Sequence, residues 1–323
     1  MKNLLNFKKL AVIVLFSTLG ISCNNDDDNN EPVVVDTTIT GVASANKDFS
    51  ILVQALTKAD LAKTLQGAGP YTVFAPTNAA FTAFLKTTPY ATINDVPTAT
   101  LTQILLNHVV SGNVKSTDLT TGYIKTLAKG GASTTNTLSM YVDLTSGVKL
   151  NGVAKVITPN IAASNGVIHS VDAVIALPTI VDHAVANPNF STLVAALTYN
   201  PASGFAATLS GTTNSPFTVF APTNAAFGAF LTETDYSGLA VIPPAVLEKT
   251  LKYHVVTGAN VQASQLTNDQ IIATFSGQSV TVKFTPTRLL DVSNRNSNIT
   301  ATDVQCSNGI IHVLDKVLLP TFD

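Results

Sequence analysis

Apolar residues fall first at helical spacing. Phe49, Leu52, Val53 and Leu56 lie on one stripe, which predicts an amphipathic helix. Thr72–Ala75 (TVFA) is a short apolar run of the kind a buried strand makes, and Pro76 is expected to stop it. Thr77 or Asn78 is then placed to accept from the free N–H groups of a following turn, as a helix N-cap. Behind that cap, Phe81, Phe84 and Leu85 share a helix face. A further helix is expected to open at Pro97, with Leu101, Ile104, Leu105 and His108 on one stripe. Beyond Gly112 the pattern changes to strand: TLSMYVDL, VKLNGV, AKVITPNIAAS and GVIHSVDAVI. Helices followed by strands predict an α+β architecture.

The whole pattern then recurs. YTVFAPTNAAFTAFL (71–85) returns as FTVFAPTNAAFGAFL (217–231), differing only at Tyr71/Phe217 and Thr82/Gly228. DFSILVQAL matches NFSTLVAAL, LLNHVVSGNV matches LKYHVVTGANV, and NGVIHSVDAVIALP matches NGIIHVLDKVLLP. Each unit runs to roughly 140 residues, which is a whole domain rather than a solenoid repeat. The boundary is placed near Pro178–Val181, giving domains 37–178 and 179–323. Equivalent stretches such as KTTPYATINDVPTAT and TETDYSGLAVIPPAV have drifted apart. Recent duplication therefore does not explain the near-identity of the fifteen residues. They read as a folding signature, with Val73, Phe74, Phe81, Phe84 and Leu85 bound for the core and Thr77, Asn78 and their counterparts Thr223 and Asn224 as structural polar groups. Asn165-Gly166 and Asn308-Gly309 read as turns ahead of the last strand.

The blocks TVFAPTNAAF, HVV and NGVIHSVDAVIALP, in that order and present twice, resemble the fasciclin (FAS1) domain. The resemblance covers residues 37–178 and 179–321, nearly all of the expected mature chain. It implies a wedge-shaped, seven-stranded β-sandwich with helices packed along one side, and a role in adhesion or extracellular-matrix interaction. In animal fasciclin domains a Tyr-His pair near this helix end is implicated in integrin contact. The second unit has Tyr253-His254, whereas the first has Asn107-His108. The resemblance thus makes Tyr253 and His254 candidate partner-binding residues. The plainer reading is an aromatic packed at the surface beside a core histidine.

The amino-terminal residues carry a different pattern. Three lysines in MKNLLNFKK precede LAVIVLFSTLGIS, thirteen residues without a charge, too few for a bilayer span of about 20. This reads as a signal peptide over 1–22. Gly20-Ile21-Ser22-Cys23 resembles a bacterial lipobox, with Cys23 as the lipidated residue and membrane anchor; a plain secreted protein with an incidental cysteine is the alternative. NNDDDNNEP follows, so residues 23–36 are expected to be a disordered tether. Its acidic residues resemble the surface-export signal of Bacteroidetes lipoproteins, which places the expected location at the outer membrane, facing outward.

Composition narrows the function. The chain is 46% hydrophobic and 12% charged, with net charge −2. No basic cluster stands ready for nucleic acid. Only Cys23 and Cys306 are present, so Cys306 is expected to be a lone thiol acting as a small hydrophobe. Cys-x-x-Cys, His-Glu-x-x-His, phosphate-loop and nucleophile-elbow patterns are all missing. Asp143 and Asp172 could form a glycosidase pair only if the fold joined them. Of the five histidines, His108 recurs as His254 and His169 as His312. Amid apolar neighbours they read as buried rings hydrogen-bonded to backbone. The competing metal reading joins His108, His169 and Asp172, and in the second unit His254, His312 and Asp315. The expectation is no catalytic residue, no metal and no cofactor. The partner is a protein or glycan at the cell surface, with a biofilm-polymer-binding module as the alternative to adhesion.

Overall fold

The structure is a computed structural model, and it describes residues 36–322. The proposed signal peptide, Cys23 and all of the acidic tether except Asp36 lie outside the described residues. From Asp36 onward the chain forms one compact unit containing two similar halves.

The first half runs α1 (Ile39–Ala45), α2 (Ser50–Lys58), α3 (Ala62–Gln66), β1 (Tyr71–Pro76), α4 (Asn78–Leu85), α5 (Thr98–Leu106), β2 (Val109–Ser111), β3 (Gly122–Lys129), β4 (Thr137–Asp143), β5 (Lys149–Leu150), β6 (Ala154–Ala163) and β7 (Gly166–Val171). The second repeats it as α6 (Ile180–Ala186), α7 (Ser191–Thr198), α8 (Phe205–Ser210), β8 (Phe217–Pro222), α9 (Asn224–Glu233), α10 (Pro244–Tyr253), β9 (Val255–Thr257), β10 (Ile271–Ala273), β11 (Ser279–Lys283), β12 (Arg288–Leu290), β13 (Asn296–Gln305) and β14 (Gly309–Leu314). Each half holds a seven-stranded sheet, ordered β2-β1-β7-β6-β5-β4-β3 and β10-β11-β12-β13-β14-β8-β9. The pairs β1–β7 and β8–β14 are parallel; the other ladders are antiparallel.

The long strands β6 and β13 carry register shifts. Bulges of this kind bend a strand, and here two cores lie on opposite faces of the central strands. Val73, Ala75 and Ile168 pack with Ile39, Phe49, Leu52, Phe81 and Leu101 against the helices. Phe74 and Val171 point the other way and pack with Met140, Val142 and Leu150 between the two halves of the sheet. Alternation along a strand thus explains why VFAP is apolar throughout: both faces of β1 are buried.

Pro76 is itself the last residue of β1, opposite Val171, so the strand stops there as expected. Several other expectations shift by a residue or two. Pro97 precedes α5 as its N-cap, with the helix starting at Thr98. His108 lies beyond the last residue of α5 rather than on its stripe, because a closing turn, His108 N–H to Leu105 O at 3.0 Å, tightens the helix end. Phe84 and Leu85 are only half-buried at the edge of the helical core.

The repeated Thr-Asn pair divides its labour. Thr77 is the N-cap of α4 and accepts from Ala80 N at 3.2 Å. Asn78 is the first helical residue instead, and its carboxamide accepts from Ile51 N and donates to Lys47 O, each at 2.9 Å. Thr223 caps α9 through Ala226 N at 3.2 Å, and Asn224 accepts from Thr192 N and donates to Pro188 O, each at 2.9 Å. The pair therefore starts one helix and ties it to the beginning of another.

The Asn-Gly turns carry more than a turn. Asn165 is buried; it accepts from Ile39 N at 2.9 Å and donates to Leu65 O and Gly67 O, each at 2.7 Å. Asn308 does the same with Ile180 N at 3.0 Å and with Leu209 O and Gly211 O, each at 2.8 Å. A Cβ on Gly166 would lie 1.9 Å from Tyr71 O, so only glycine lets β7 pair beside β1.

No spacer separates the halves. Thr179 follows Pro178 and immediately caps α6, with Asp182 closing a capping box. Polar contacts then form a seam. Lys125 Nζ donates to Asp303 O at 2.8 Å and Ser139 Oγ at 3.0 Å, and Gln305 N donates to the same Ser139 Oγ at 3.0 Å. Ser307 is held from both sides, its N donating to Pro178 O at 2.7 Å and its O accepting from Ala132 N at 3.0 Å.

Candidate functional site

The recurrent histidines are the groups in each repeat best suited to chemistry, and the fold places them in backbone roles. His108 Nδ1 lies 2.8 Å from Ile104 O, and its Nε2 accepts from Ile175 N at 2.9 Å. His254 repeats this with Thr250 O at 2.8 Å and Leu318 N at 2.9 Å. The carbonyl partner at Nδ1 and the N–H partner at Nε2 require the neutral ring protonated at Nδ1. Burial holds both rings neutral, pushing each pKa from 6.5 down to about 4.

His169 uses the opposite tautomer. Its Nδ1 accepts from Asn160 N at 3.2 Å and its Nε2 donates to Val114 O at 2.9 Å. His312 donates from Nε2 to Val261 O at 2.9 Å. Phe74 stacks on His169 and Phe220 on His312, with centroids 5.4 and 5.7 Å apart. Burial lowers the pKa of both of these rings as well.

The carboxylates of the metal reading are likewise engaged. Asp172 accepts from Lys155 N, and Asp315 from Asn298 N and Nδ2, each at 2.7 Å. Asp143 accepts from Thr145 N at 2.9 Å. Among the described residues no group of three or more His, Cys, Asp or Glu side chains is placed to hold a metal ion.

Tyr253 requires a correction. It is fully buried, not an exposed contact residue. It sits at the end of α10 facing the sheet, in a core with Phe220, Val280, Val282 and Leu289. Its hydroxyl donates to Ser279 O at 2.8 Å and accepts from Val292 N at 3.1 Å. His254, beside it, is 3% exposed and bound to backbone as described. Asn107 stands at the matching place in the first half. It too is buried, donating to Ala176 O at 3.0 Å and accepting from Thr126 Oγ1 at 3.2 Å. Asn and Tyr are thus two fillings of one internal position.

Two features had no role assigned from the sequence. One is His183, which the sequence puts in the interdomain region without a partner; it is buried at the seam, edge-on to Tyr123 with ring centroids 5.5 Å apart. Neither of its nitrogens finds a partner among the described residues, and burial pushes its pKa down to about 4. The signal was its lack of a repeat: Val42 occupies the matching place. The other is a cleft of about 690 Å³ where the first half meets the second, bounded by α4, the β5–β6 turn, residues 173–178 and the second half's α6. Phe84, Val153 and Val185 give it apolar walls, and Asp143, Lys149 and Asp182 give it charge. Volumes of this order suit small ligands or a side chain of a partner.

The Fasciclin domain family profile matches residues 47–178 and again 188–320. Protein sll1483 of Synechocystis is 40% identical over 141 residues, covering 44% of this chain and 74% of that one. Human periostin is 25% identical over 274 residues, covering 80% of this chain and 29% of periostin. A solved FAS1 domain pair from the insect cell adhesion molecule fasciclin I has TM-score 0.48 and 19% identity, covering 87% of this chain and 96% of that one.

Proposed function

The chain belongs to the fasciclin domain family, and from that premise we propose that it works by contact, as an adhesion or matrix-interaction protein without chemistry of its own. The supporting observation is the use to which the four recurrent histidines are put. Each holds backbone at a strand or helix end, and in His108, His169 and His254 both ring nitrogens are taken up by backbone, where a catalytic or metal-binding ring would need a free one; His312 keeps its buried Nδ1 unpaired among the described residues. Two joined domains offer a long surface on which weak contacts add through effective concentration.

The reading includes attachment to the membrane through lipid on Cys23, at the outer membrane and facing outward. Among the described residues no helix is long and apolar enough to cross a membrane. Attachment of cells with and without this chain to protein-coated and glycan-coated surfaces tests the proposal, with Cys23→Ala alongside. Reduced attachment on deletion supports it, and selective loss on glycan would favour a polymer-binding module. Equal attachment of both strains on every surface overturns it.

A further inference from the structure

The two halves differ sharply at one matching place. In the second half, residues 290–296 join the paired residues Leu289 and Ser297. That loop folds back over α9 and the segment after β14. Arg295 sits in the middle of it. Its Nε donates to Glu233 Oε1 at 3.0 Å, its Nη2 reaches Glu233 Oε2, and its Nη1 donates to Asp291 Oδ2 at 3.1 Å and Val317 O at 3.4 Å. Asp291 Oδ2 also accepts from Leu319 N at 3.2 Å. The arginine side chain thus fills the space between helix, turn and following segment.

In the first half the same connection is shorter, residues 151–153 between Leu150 and Ala154. It carries no arginine. Thr87 stands where the second half has Glu233, and Val174 where it has Val317. The space that Arg295 fills in one copy is the cleft of about 690 Å³ in the other. The fourth wall comes from α6, whose Ala186 Cα lies 3.1 Å from where a Gly152 Cβ would be.

A second observation points to a guest. Asn151, which lines the cleft, is 7% exposed. Its Oδ1 accepts from Tyr141 N at 2.6 Å, but its buried Nδ2 finds no acceptor among the described residues. An unpaired buried donor carries a desolvation cost that an incoming carbonyl would relieve.

We propose that this cleft receives an arginine side chain of a protein partner, in the manner in which Arg295 fills its counterpart. Phe84, Val153 and Val185 cover the aliphatic stem. Asp143 and Asp182, opposed by Lys149 alone, supply the charge for a guanidinium. The inference deepens the contact reading and rests on it for the nature of the partner.

The test is calorimetric titration of the full chain with a blocked peptide of its own loop sequence, Val-Ser-Asn-Arg-Asn (292–296), and with the same peptide carrying citrulline. The arginine peptide is expected to bind at least about tenfold more tightly than the citrulline one. Thr87→Glu, which installs the partner Arg295 has in Glu233, is expected to tighten binding about tenfold. Ala83→Trp, at an exposed position on α4 lining the cleft, is expected to abolish it, with an unchanged melting temperature showing an intact fold. Equal binding of both peptides, binding that survives Ala83→Trp, or no heat up to millimolar peptide would each overturn the proposal. Those results leave cell attachment intact if only the cleft assignment fails, and accompany its loss of chain dependence if the contact reading fails too.

Discussion

The two halves of this chain share their cores and caps and differ at the seam and the cleft. Where they agree, the residue ties backbone: Thr77 and Thr223 cap a helix, Asn165 and Asn308 close three chain ends, and His108 and His254 hold a segment after the last strand. At the seam and the cleft they differ, and there the residue faces something that only one half has; Asn107 and Tyr253 also differ, but as two fillings of one buried position. His183 against Val42 marks the seam; Arg295 against the short 151–153 turn marks the cleft. An internal duplication therefore sorts folding residues from the rest without any outside comparison.

The strongest way to break this sorting is to remove a shared residue. His108→Ala or His254→Ala leaves a carbonyl and an N–H unpaired and opens a cavity. Each is expected to lower stability by about 4 kcal/mol in urea unfolding. A loss below about 1 kcal/mol would return these rings to the pool of functional candidates. Tyr253→Phe comes next, with an expected loss of about 1–2 kcal/mol, since Ser279 O and Val292 N lose their partner. A surface contact residue would show no such loss.

The smallest effect sharpens the comparison most. His183→Val places the first half's residue in the second, and the expected change at pH 7.5 is within about 1 kcal/mol, because the ring gives up no hydrogen bond. Its pH dependence is the informative readout. The ring's pKa is about 4 when folded and 6.5 otherwise. Protons therefore bind the unfolded chain first, and stability present above pH 6.5 drains away as pH falls toward 4. Lys125, Asp182, Tyr123 and Cys306 are the titratable groups around it, and none reverses that direction. His108 and His254 act in the same window, so the wild type is acid-sensitive through several rings. The valine variant is expected to lose less stability than wild type between pH 6.5 and 4, and parallel curves would remove His183 from the account.

Much of the fold was legible because its signals are local. A cap, a proline, an apolar stripe and a change from helical to strand period each need only a few neighbours. The Tyr253 error came from elsewhere, from a pair carried over by the family resemblance. Spacing shows that a residue lies at a helix end, but the side it faces depends on β11, which packs there only after long-range pairing. The seam was invisible for a related reason. Lys125, Ser139 and Gln305 belong to different domains and become partners only when β4 meets β13. The cleft, too, is defined by a turn that is short only in comparison with its duplicate.

The parallel pairing of β1 with β7, and of β8 with β14, has a mechanical consequence. In the first half, six residues of each strand lie side by side, Tyr71 opposite Gly166 through Pro76 opposite Val171. Tension that reaches the start of β1 and the end of β7 pulls the two strands past each other along their length. The load is then shared across the ladder at once instead of opening it bond by bond.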